Sequence, residues 1–165
     1  MNEQLDTRDG AGAETEPRPV IRTAVQGDVE PLVDLISLLG HPVDAPGIRS
    51  RLTALAAANE APLVATVGSQ LVGLCGLHRS LVIHRPAPVG RITILVIAEA
   101  ARGTGVGRML VERAEAELRL SGCTLIEITS NDQLIPAHAF YCHLGYERTG
   151  LRFAKTLTRP FIERP

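Results

Sequence analysis

Tryptophan is absent from this chain, and aromatic residues make up only 3% of it. A surface that stacks bases on aromatic rings therefore has little to be built from. The formal net charge of −1 removes the basic footprint of a general nucleic-acid binder as well. Cysteines are few: Cys75, Cys123 and Cys142 form an odd set without CxxC spacing, which argues against a disulfide framework or a zinc site. The five histidines contain no HExxH pattern, so no metal is expected. No window holds 18 apolar residues, which argues against a transmembrane helix. Met1 to Gly10 is polar and acidic, unlike a secretory signal. Lysine is nearly missing too, Lys155 standing alone against 16 arginines; a base-composition bias accounts for this. These absences fit a cytoplasmic protein with no metal, no nucleic-acid partner and no membrane contact.

What is present suits a folded domain. The 165 residues are 45% hydrophobic and 21% charged, ordinary values for a globular protein and enough chain for one domain with a core. Charge is unevenly spread, with a net of −4 over residues 1–17 and +3 over the remainder. We read 1–17 as a disordered acidic tail, 18–160 as the domain and 161–165 as a short second tail. A mildly basic domain suits an anionic ligand.

Periodicity supplies the elements. A strand is expected within Pro19–Val25, and a helix capped by Asp28 and stopped by Gly40. After a His41–Pro46 turn, a second helix is expected over Ile48–Ala58. Leu63–Val67 and Gln70–Leu77 read as a hairpin turning at Gly68-Ser69, in which Gly73, Cys75 and Gly76 leave room for a bend or a ligand. Leu81–Ile83 reads as an extension of that strand. Arg91–Ala98 is an apolar, β-branched run of the kind found in buried strands. A helix with Val106, Met109, Leu110, Ala114 and Leu118 at helical spacing follows, with Arg108–Glu112 and Glu115–Arg119 pairs on the wet side. Thr124–Thr129 reads as a strand, Gln133–His143 as a helix, and Tyr146–Thr149 and Leu151–Leu157 as strands. The fold class is α/β, a mixed and mostly antiparallel sheet of six to seven strands flanked by about four helices.

The most informative stretch is Arg102-Gly103-Thr104-Gly105-Val106-Gly107-Arg108, between the buried strand and a helix. A helix start offers unpaired N–H groups and a partial positive charge, and glycines let an anion approach the backbone. No lysine follows as a P-loop requires, and the GxGxG spacing departs from the Rossmann fingerprint. Here the chain resembles the GNAT N-acetyltransferase superfamily, whose acetyl-coenzyme A loop has the form [Q/R]-x-x-G-x-[G/A] after a buried strand. Ala137-His-Ala-Phe140-Tyr141-Cys-His-Leu-Gly145-Tyr146 is similar to a second segment of that family, and Phe153-Ala-Lys155-x-Leu157 to a frequent ending. The likeness covers about residues 19–158.

The resemblance implies a splay between the fourth strand, Arg91–Ala98, and the fifth, Thr124–Thr129, with acetyl-CoA inserted as co-substrate. It implies acetyl transfer to a primary amine of a small molecule, or a protein amino group, by direct attack in a ternary complex. The pyrophosphate would lie on Arg102, Gly103, Thr104, Gly105, Val106, Gly107 and Arg108. Pantetheine would pair with Leu95, Val96 and Ile97, and Asn131 would either bond its amides or serve as a turn asparagine or local cap. Tyr141 falls on the family's acid, the proton donor to the departing thiolate. Glu127 is the candidate base, directly or through water; a glutamate merely paired with an arginine is an equal reading, and Glu99 is a weaker candidate. His78, Arg79, His84 and Arg85 would give a basic lining suited to an acceptor carrying carboxylate or phosphonate, although an exposed, solvated hairpin explains them as well. The competing reading is a non-catalytic acyl-CoA-binding regulatory module on the same fold. Similar proteins are frequently homodimers.

Overall fold

The computed structural model describes residues 17–157; apart from Pro17, the two expected tails lie outside them. Five strands form one sheet in chain order. They are β1 (Val20–Thr23), β2 (Leu63–Val67), β3 (Gln70–Ser80), β4 (Val89–Ile97) and β5 (Leu125–Ile128). The first four pair antiparallel, and β5 joins β4 in parallel. Helices α1 (Val29–Ser37) and α2 (Ala45–Ala57) connect β1 to β2. Helix α3 (Val106–Leu120) connects β4 to β5, and α4 (Ile135–His143) follows β5. A parallel neighbour needs a crossover longer than a hairpin, and α3 is that crossover.

Side-chain alternation divides the core into two layers. On one face Leu63, Ala65, Cys75 and Ile92 pack under Val106, Leu110, Val111 and Ala114 of α3. On the other, Val64, Leu74 and Val96 pack under Val29, Leu32 and Leu35 of α1 and Ile48 and Leu52 of α2. Helix α3 lies close to the sheet because two strand positions lack side chains. A Cβ at Gly73 would stand 2.8 Å from Leu110 Cδ1, and one at Gly90 2.8 Å from Leu118 Cδ1.

Several boundaries differ from those expected. Helix α2 begins at Ala45, inside the expected turn. Asp44 caps it by accepting from the Gly47 N–H at 2.9 Å, and Pro46 occupies its first turn, where a missing N–H costs nothing. Leu81–Ile83 does not extend β3; Leu81 and Ile83 stand exposed, and a segment with no packed face has no reason to stay extended. The described residues contain five strands, not six or seven. Tyr146–Thr149 and Leu151–Leu157 have strand-like sequences but no partner strand, and Leu151, Phe153 and Leu157 are exposed. Alternation can mark a strand face but cannot supply the edge a strand must bond. On α3 neither expected ion pair forms: Arg113 pairs with Glu117 at 2.8 Å, and Glu115 accepts from Tyr146 Oη at 2.8 Å.

Asp28 precedes α1, yet its carboxylate does not cap that helix. It accepts from both Arg22 Nη atoms at 2.7 Å and from the Val25 N–H at 2.8 Å. The Arg22 hydrogen bonds, aided by Val25 and opposed by desolvation, hold Asp28 below the ordinary carboxylate range.

Candidate active site

The site begins with one extra residue in β4. Gly76 of β3 pairs with Ile94, but the next residue, Leu77, pairs with Ile92. Thr93 is thus a bulge, and strand phase changes across it. Ile92 before it and Leu95 and Ile97 after it face α3, whereas Ile94 and Val96 face α1 and α2. At the same place β4 loses its outer neighbour: β5 pairs only with Val89–Ile92. From Thr93 to Ile97 the outward edge of β4 has no strand partner among the described residues. A splay was expected between the fourth and fifth strands; their pairing stops here, and Leu95, Val96 and Ile97, expected to bind pantetheine, lie on the stretch beyond it.

The free edge runs into the glycine loop. A short 3-10 turn, Glu99–Ala101, leads to Gly103 at φ +78° and Gly105 at φ +90°, and Gly105 is the residue before α3. A Cβ built at either glycine meets nothing within 4 Å. These positions are glycine because of their left-handed backbone, and the space above them is open. Val106 is buried and anchors the helix start. Thr104 Oγ1 donates to the Ala101 carbonyl at 2.7 Å. Arg102 Nε donates to the Ile97 carbonyl at 3.3 Å, and its guanidinium lies 3.6 Å from Glu99. Arg108 is exposed on the first turn of α3. A cradle of amides, glycines and two arginines can hold an anion.

Helix α4 meets the α3-side core through Phe140 and, just past its end, Leu144. Phe140 packs into the α3-side core and reaches Gly107, where a Cβ would lie 3.4 Å from its ring. Tyr141 is half-buried, edge-on to Phe140 and to Tyr146. Its hydroxyl has no hydrogen-bond partner among the described residues, and burial pushes its pKa upward, with the Cys75 sulfur adding to the shift. The phenol therefore stays protonated through neutral pH. Cys75 itself is fully buried, and desolvation raises its thiol to about 12. Such a thiol stays protonated at neutral pH and is a poor nucleophile.

The other candidates occupy more ordinary places. Glu127 Oε2 accepts from Arg91 Nη2 at 2.8 Å across β4 and β5, and both side chains are nearly half exposed. Asn131 Oδ1 accepts from the Gln133 N–H at 3.0 Å, a local turn contact, and its carbonyl meets His138 Nε2 at 2.9 Å. Glu99 is exposed.

On the α1/α2 face lies a cavity of about 190 Å³, floored by Gly76, Thr93 and Ile94 and walled mainly by apolar side chains. Its polar lining comes from Arg51, Glu60 and Thr93. Glu60 Oε1 meets His78 Nδ1 at 2.7 Å and accepts from the Arg79 N–H at 3.4 Å. The His78 contact first, and the Arg79 amide after desolvation, lower the Glu60 pKa. None of the expected basic residues lines the cavity; His78 reaches it only through Glu60. Arg79 turns to the α3 face and donates to the Ser121 carbonyl, and His84 and Arg85 lie exposed in the bend after β3. Sequence reasoning missed Arg51 and Glu60. Arg51 looked like one more polar residue on α2, and Glu60 like part of a loop. The one usable signal was the glycine at 76, where a Cβ would meet Thr93 Oγ1 at 2.6 Å.

A strand edge left open at a bulge, leading to an amide cradle on a helix start, defines a class of acyltransferases. The family model for "Acetyltransferase (GNAT) family" matches residues 35–146, more than half of the chain. The chain belongs to the GNAT acetyltransferase family, and it is an acyltransferase. Among its relatives is the aminoalkylphosphonate N-acetyltransferase of Salmonella typhimurium, 32% identical over 139 residues, which are 83% of this chain and 90% of that one. Among solved structures, glucosamine-6-phosphate N-acetyltransferase from Arabidopsis thaliana superposes with a TM-score of 0.76 at 15% identity, over 86% of this chain and 99% of that one. The aminoglycoside N-acetyltransferase AAC(6')-Iy in complex with CoA gives 0.76 at 18% identity, over 90% and 99%. These two likenesses concern the fold. No helix among the described residues is long and apolar enough to cross a membrane, and none of their His, Cys, Asp and Glu side chains cluster as a metal site would require.

Proposed function

We propose that this protein transfers the acetyl group of acetyl-CoA to a primary amine of a small molecule, by direct attack within a ternary complex. The observation that carries this reading is the unpaired edge of β4, Thr93–Ile97, ending at the open loop of Gly103 and Gly105. A pantetheine arm has amides of its own and adds to such an edge as a strand would. The N–H groups from Gly103 to Arg108 take the pyrophosphate, with Arg102 and Arg108 supplying charge. Asn131 turns its side-chain amide to the arm once its local contact opens. The relative named for aminoalkylphosphonates supports a small amine as acceptor.

The chemistry sets two tasks. An alkylammonium of pKa ~10.4 must lose a proton, about 3.4 units or roughly 4.6 kcal/mol uphill at pH 7. Glu127, which accepts from Arg91 at 2.8 Å, takes that proton through water. The amine nitrogen then attacks the thioester carbon, and a backbone N–H on the free β4 edge bonds the oxyanion. As the C–S bond breaks, the Tyr141 phenol, whose pKa burial raises further, gives its proton to the sulfur, and the second proton of the attacking nitrogen leaves through water and restores the phenol. Calorimetry with acetyl-CoA tests the reading. Wild type binds saturably, and Gly105→Trp, which fills the open space over the loop, does not. Absence of wild-type binding at millimolar acetyl-CoA overturns it.

A further inference from the structure

The cavity on the α1/α2 face holds two opposite charges in an otherwise apolar wall. Arg49, on the same helix as Arg51, faces Glu30 at 3.7 Å, and His78 meets the cavity's Glu60 at 2.7 Å. Arg51 differs. It lines the cavity and a second hollow of about 280 Å³ beside Pro42, Val43 and Asp44, and it has no carboxylate within ion-pair distance among the described residues. A cation left unpaired at an apolar cavity is positioned for an anion the protein does not supply. Glu60 is the opposite case. It is pinned by His78 and the Arg79 amide, stays ionised, and lines the same cavity as Thr93 and Ile94, where the free edge of β4 begins.

We infer that this cavity is a two-point acceptor site for a small amine carrying an anionic group, with Arg51 binding the anion and Glu60 receiving the ammonium. The inference rests on the acetyltransferase reading above and adds the acceptor's second charge. The volume supports a small molecule: about 190 Å³ is below the roughly 300 Å³ at which pockets for drug-sized ligands begin. The apolar wall between the two charges fits a short hydrocarbon spacer. Arg51 can bind phosphonate or carboxylate through paired N–H donors. Glu60 brings the ammonium toward Thr93, and proton removal remains with Glu127.

The test measures kcat/KM for 2-aminoethylphosphonate, β-alanine, propylamine and spermidine at saturating acetyl-CoA, in wild type, Arg51→Gln and Arg51→Glu. Wild type should favour the phosphonate or the carboxylate over propylamine, and the better of the two names the anion. Arg51→Gln should lower that preference about ten- to hundred-fold, mainly through KM, the loss expected for a charge-assisted hydrogen bond. Arg51→Glu should shift preference toward spermidine, a gain that misfolding cannot imitate. A wild-type preference for propylamine or spermidine, or a ratio that Arg51→Gln leaves unmoved, overturns the two-point site while leaving acetyl transfer standing. If acetyl-CoA binds but no amine is turned over, the transfer reading fails. Calorimetric binding of 2-aminoethylphosphonate to CoA-loaded wild type but not Arg51→Gln would then still support the site, and absence of that binding would overturn it.

Discussion

Tyr141 and Asp28 show how differently two part-buried titratable groups are used. The Tyr141 hydroxyl is desolvated without a partner among the described residues. Its raised pKa means that a role as proton donor fails only at high pH, where the phenol ionises. Tyr141→Phe should lower kcat by about 10²-fold with little change in acetyl-CoA affinity; steady-state kinetics beside calorimetry checks this. Asp28 is fully partnered, and its folded pKa is depressed. Its contribution is present above the unfolded carboxyl pKa of ~3.9 and is lost as pH falls through the lower folded value. Asp28→Ala should cost about 1–3 kcal/mol in urea unfolding at pH 7, because it strands the Val25 N–H and Arg22, and the gap to wild type should narrow in acid. At this scale the sequence was only partly legible. Tyr141 could be chosen from its Phe-Tyr context, and Asp28 could be placed at a helix start. Its real partner, Arg22, sits on the preceding strand, β1, and no helix-capping spacing reports such a pairing.

At the scale of elements, close approach of α3 to the sheet depends on Gly73 and Gly90. Gly90→Val would drive a branched side chain into Leu118. A loss of about 1–3 kcal/mol is expected, as for other overpacked cores, and denaturant unfolding measures it. Gly73 and Gly76 were both read as positions kept clear for a bend or a ligand. In the structure side chains fill both places, Leu110 over Gly73, and Thr93 and Ile94 beside Gly76, which with them lines the cavity. The buried strand, the glycine loop and α3 were legible because each carries a local signal: β-branched runs, left-handed glycines and helical spacing. The Thr93 bulge was not. It is a relation between β3 and β4, and the sequence of β4 alone, Arg91 to Ala98, contains nothing that marks where register shifts.

For the molecule as a whole, binding couples to stability. A ligand that binds only the folded state at 100 times its Kd adds about 2.7 kcal/mol. For a domain of this size that corresponds to a rise in Tm of roughly 8–13 °C. Acetyl-CoA should produce such a rise in wild type and little in Gly105→Trp, which thermal unfolding resolves. The C-terminal end is where whole-chain reasoning fell short, since the expected last strands have no partner edge among the described residues.

The unpaired stretch of β4 also has a cost. Between β3 and the gap, a row of backbone donors and acceptors faces outward from the middle of the sheet rather than from its margin. Such groups are templates for another chain. Occupancy by a co-substrate would then act as a protective cover as much as a reactant. Amides of Thr93–Ile97 that point into the gap should exchange hydrogen quickly in the free protein and slowly with acetyl-CoA bound. Preparations kept saturated with the ligand should also stay monodisperse at concentrations where the empty protein begins to associate.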